Sequence, residues 1–136
     1  MKINLRRAAT LQEQIRQAVS DVNLAHGQGE ETADLEQKLT HLEEVESVLY
    51  SLRDKVGKAN VETGVSTLLT KRVQLNNLIG RYEKLVRHGM ESFQSKLSDL
   101  RKERVTISEK ILELNVGSSV ELTDTDEQIL ARENIL

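Results

Sequence analysis

The chain has 136 residues, 22 of them acidic and 19 basic, no cysteine, no proline, and a formal net charge of −3 at pH 7. Without cysteine, disulfides, thiolate nucleophiles and cysteine-bound zinc or iron–sulfur centres are excluded. With Tyr50, Tyr82 and Phe93 as the only aromatics, a core must be made of Leu, Ile, Val and Ala, and without proline long helices are the default.

In the first segment Ala8, Leu11, Ile15, Ala18, Val22 and Ala25 alternate at three and four residues, which puts them on one narrow stripe and predicts a helix from Asn4 to Ala25. The run Met1 to Arg7 is too short in apolar residues for a signal peptide, and no window approaches a membrane span. The expected location is therefore cytoplasmic, or within a virion if the chain is phage-encoded. The segment His26 to Glu31, with Gly27 and Gly29, predicts a turn, and Thr32 with Asp34 behind it predicts a helix start.

A heptad follows: Leu35, Leu42, Leu49 and Val56 recur every seven residues, with Val45, Leu52 and Ala59 on the second line. Leu39 and Val48 widen this stripe, so helix 2, Asp34 to about Ala59, is expected to touch more than one neighbour. Asn60 to Thr67 holds β-branched residues and Gly64, and predicts a short connection ending near Ser66. From Leu68 to Leu114 one apolar track runs through Leu75, Ile79, Tyr82, Val86, Met90, Phe93, Leu97, Leu100, Ile107 and Ile111. Gly89 either caps a helix and opens a hairpin or only kinks a continuous helix. The modest cost of an interior glycine, about 1 kcal/mol, favours the continuous helix. Val116 to Leu122 loses helical periodicity and predicts an extended linker, and Thr125 with Gln128 has the pattern of a capping box opening a last helix from Asp126 to about Ile135.

Arg72 and Arg104 occupy positions of this track that are otherwise apolar. Arg104 between Leu100 and Ile107 is either a paired buried cation that fixes register or a side chain that snorkels to water. Lys71, Arg72, Arg81, Lys84, Arg87, Lys96, Arg101 and Lys102 make residues 61–105 basic, a possible face for phosphates or acidic protein, although no aromatics interleave with them for base stacking.

His26, His41 and His88 lack a second ligand at helical spacing, so no metal is expected; His41 with Glu43, Glu44 and Glu46 reads as a solvated acidic face. No phosphate-binding glycine loop or nucleophile elbow occurs, so neither catalysis nor a cofactor is expected.

Leu5 to Gln12 with Ile15, then Leu68-Leu69-Thr70-Lys71-Arg72 with Leu75 and Tyr82, then Ile107 to Asn115, resemble the septicolysin-like family of small helical proteins in chain order, over about half of the chain. The resemblance implies a helical fold, and the family's name implies membrane activity.

These readings converge on an all-α antiparallel helical bundle or coiled coil of three to four long helices and a short C-terminal one, divided into a bundle at 1–116 and a docking segment at 117–136. Val120, Leu122, Ile129, Leu130, Ile135 and Leu136 are too many apolar residues for a solvated tail. They either dock on another subunit or fold back on their own bundle. The expected function is that of a non-catalytic structural or adaptor protein that self-associates, as within a phage particle. The alternatives are a basic regulatory binding module and a membrane-active protein.

Overall fold

The computed structural model describes residues 1–22 and 32–136. Ala25, His26 and the Gly27/Gly29 turn lie outside the described residues. Among the described residues the fold is all-α apart from one pair of three-residue strands. In order the elements are β1 (Lys2–Asn4), α1 (Leu5–Ser20), α2 (Thr32–Thr63), α3 (Val65–Arg87), a 3₁₀ turn (Glu91–Phe93), α4 (Gln94–Gly117), β2 (Ser119–Glu121) and α5 (Asp124–Arg132). They group into two compact units, residues 1–59 with 119–136, and residues 60–118.

The first unit closes its core from both ends of the sequence. β1 and β2 pair antiparallel with Ile3 opposite Val120, and the Leu122 amide donates to the Met1 carbonyl at 2.8 Å. Asn4 then caps α1, its Oδ1 accepting from the Arg7 amide at 2.7 Å, so strand passes into helix without a loop. Ala8, Leu11 and Ile15 of α1 are fully buried with Val48, Leu49 and Leu52 of α2, Val120 and Leu122 at β2, and Leu130 of α5. The α1 stripe is as expected up to Ile15, but the helix ends at Ser20, and Val22 lies beyond it, exposed.

Two hydrogen-bonded caps fix the last helix. Thr123 Oγ1 accepts from the Asp126 amide at 3.1 Å while Asp126 Oδ2 accepts from the Thr123 amide at 3.3 Å, a reciprocal capping box two residues before the one expected at Thr125 and Gln128. At the other end the Ile135 amide donates to the Leu130 carbonyl and the Asn134 amide to that of Ala131, with Asn134 in the left-handed region at φ 56°. This Schellman closure packs Ile135 beside buried Leu130.

The second unit is a helical hairpin. The expected loop at 60–67 shrinks to Gly64 alone, because Val61 and Thr63 stay helical and only Gly64, at φ 83°, breaks the run. The favoured continuous helix through Gly89 is not formed. Gly89, at φ 89°, sits at C′ of a Schellman motif in which its own amide donates to Val86 and that of Met90 to Leu85. A continuous helix would leave its apolar track without a partner. Folding at Gly89 lays Leu75 and Ile79 in one core with Leu97, Leu100, Ile107 and Ile111. Tyr82 meets Phe93 edge-on near the turn, with ring centroids 5.6 Å apart.

Candidate functional site

The six apolar residues expected to meet a partner are mostly occupied at home. Val120, Leu122 and Leu130 belong to the core of the first unit, Ile129 and Ile135 pack against it, and only Leu136 is exposed. The fold-back alternative is the one the structure adopts, and the linker expected at 116–122 is replaced by the last residues of α4, up to Gly117, and by β2. Pairing with β1 satisfies backbone groups that an extended linker would leave to water. The segment 119–136 therefore belongs with residues 1–59, and the boundary drawn at 116/117 does not separate a docking module from a bundle.

Two of the basic residues are held by ion pairs. Lys71 is held by Glu103 at 3.2 Å and Arg101 by Glu83 at 3.1 Å, both across the hairpin. Arg72 is half-buried on the inner side of α3, while Arg81, Lys84, Arg87, Lys96 and Lys102 are exposed. Arg81, Lys84 and Arg87 are three residues apart, and each such step falls about 60° short of a full turn, so they spread over an arc of about 120° on α3. Half-buried Arg104 donates from Nη1 to Asn76 Oδ1 at 3.1 Å. It reaches the surface and makes a cross-helix hydrogen bond to a neutral amide there, as the snorkelling alternative expects and unlike a paired buried cation.

Sequence spacing missed two features. In the first unit a cavity of about 200 Å³ is walled by Ala18, Val19, Val22, Leu42 and Val45, with His41 and Glu133 at its polar side. His41 Nδ1 lies 3.7 Å from Glu133 Oε1, and Arg132 donates to Glu44 at 2.6 Å. That hydrogen bond is the main cause that raises the Arg132 pKa above its already high ordinary value. Glu44 is therefore not part of a merely solvated face, a pairing visible only once α5 is placed beside α2. The cavity has an imidazole and a carboxylate, but among the described residues its lining includes no hydroxyl or thiol for them to activate.

The second feature lies on α4. A shallow groove of about 270 Å³ is lined by Arg104, Val105, Ser108, Glu109 and Leu112, and Val105, Leu112 and Val116 are each about half exposed. These three recur at seven and four residues, so they continue a second stripe beside the buried one. The buried track hides this stripe in the sequence, because a single helix with two apolar lines reads simply as rich in leucine and valine.

Among the described residues no group of three or more metal-ligating side chains converges, and no helix is long and apolar enough to cross a membrane. No protein-family model, no curated protein and no solved structure matches the chain.

Proposed function

We propose that this protein is a non-catalytic structural or adaptor subunit that works by self-association, with its helical hairpin as the assembling part. The observation that carries the reading is the second apolar stripe of α4. Val105, Leu112 and Val116 stand in water on a unit that is only two helices thick. A two-helix hairpin buries one seam and gains stability when a further helix layer covers it. Such a subunit suits a larger protein assembly, of which a phage particle is one example. The ion pairs that occupy Lys71 and Arg101 favour this reading over a phosphate-binding face.

Light scattering coupled to size exclusion tests it directly. A mass that is a multiple of 15.4 kDa is expected at micromolar concentration, and a monomer mass throughout that range refutes the reading.

A further inference from the structure

We infer that the hairpin associates with a second copy of itself through α4, antiparallel, about a two-fold axis beside Ser108. The inference rests on the self-association proposed above and names its face and symmetry. Ser108 lies at the floor of the α4 groove midway between Val105 and Leu112, where a small side chain lets two helices approach closely. An antiparallel two-fold centred there sets Val105 of each copy against Leu112 of the other, filling each groove with the side chain that borders its twin.

Charge along α4 fits the same arrangement. Lys102 precedes the stripe and Glu113 follows within it, where Lys110 of the same helix lies 3.7 Å away, so reversing one helix against the other brings Lys102 toward Glu113 of the second copy. A parallel pairing would set like charges side by side. One feature opposes the pairing: the two Glu109 carboxylates meet near the axis, so their neutralisation should tighten the contact.

The chain has no cysteine, so a single introduced thiol reports the axis without background. Under mild oxidation the Ser108→Cys variant is expected to form a disulfide-linked dimer. The Asp99→Cys variant, nine residues back and hence on the opposite side of α4, should not. Leu112→Glu should weaken association at least about tenfold with helix content unchanged, and Glu109→Gln should strengthen it. Lys102→Glu and Glu113→Lys should each weaken association, and together restore it. If the wild-type chain is an oligomer yet Ser108→Cys does not cross-link and Leu112→Glu leaves the mass unchanged, the face is wrong while self-association stands. If the wild-type chain is a monomer, both ideas fall. Cross-linking of Asp99→Cys as efficient as that of Ser108→Cys also overturns the proposal, because it marks random collision.

Discussion

The two units solve the same problem, how to bury aliphatic side chains without aromatics, in opposite ways. Among the described residues the first draws twelve buried apolar residues from both ends of the sequence and closes them in three dimensions. The hairpin draws seven from two neighbouring helices and closes them along one line. Charge follows the division: by sequence the first unit holds fifteen acidic and nine basic residues, the hairpin seven and ten. In the first unit the exposed large apolar side chains, Val22, Leu39, Tyr50 and Leu136 among them, are spread over several segments of the chain, whereas Val105, Leu112 and Val116 of the hairpin share one helical stripe. That difference is why the hairpin is the assembling part in the function proposed above, although the C-terminal segment carries the more apolar sequence.

The largest expected effect breaks the first unit at its closure. Truncation after Gly117 removes Val120, Leu122 and Leu130, each worth about 1.5–3 kcal/mol when fully buried, together with the partner strand of β1. Urea denaturation followed by circular dichroism should show the first unit lost. A truncated chain with unaltered stability would mean that the segment is not part of that core.

Single core truncations sharpen the comparison. Leu52→Ala, at a position 1 % exposed in the closed core, should cost about 3–5 kcal/mol, and Leu75→Ala in the hairpin seam about 2–3 kcal/mol, where neighbours can relax toward solvent. Equal losses in denaturant titrations would show the seam to be as tightly packed as the core.

Smaller and opposite in sign are the glycines. Gly89→Ala should cost about 1–2 kcal/mol, because residue 89 is held at φ 89° whatever space surrounds it. Gly57→Ala, inside α2 with nothing near its missing Cβ, should stabilise by roughly 0.5–1 kcal/mol. Thermal melting of the two variants separates the conformational requirement from mere tolerance. A gain in both would remove the Schellman turn as the cause of the hairpin.

How far the sequence could be read follows from the same contrast. Stripes such as Ala8, Leu11, Ile15 and Val45, Leu49, Leu52 were legible because helical periodicity is local, and both ended in cores. Pairings between distant segments were not. Lys2-Ile3-Asn4 and Ser119-Val120-Glu121 are too short to show strand alternation, and each becomes a strand only because the other lies beside it. Gly89 is a different case. The cost of an interior glycine concerns one helix alone, whereas the hairpin is set by the seam that folding back makes possible. The α4 stripe was in view as residues but not as a surface, since the buried track had first to be assigned to α3.

The smallest expected effect concerns what holds the hairpin in register. Lys71 with Glu103 and Arg101 with Glu83 bridge α3 and α4 at 3.2 and 3.1 Å, and it is tempting to assign register to them. Their side chains are between about a third and just over a half exposed, so water and salt screen the attraction while ordering two long side chains offsets much of it. Double-mutant cycles on each pair should therefore give coupling of no more than about 0.5 kcal/mol, falling toward zero in 1 M salt. Leu75, Ile79, Leu100 and Ile107, each under a tenth exposed, would then fix the register by shape. Coupling above about 1 kcal/mol that persists in salt would reverse this order, making the ion pairs the register device and the apolar line mere filling.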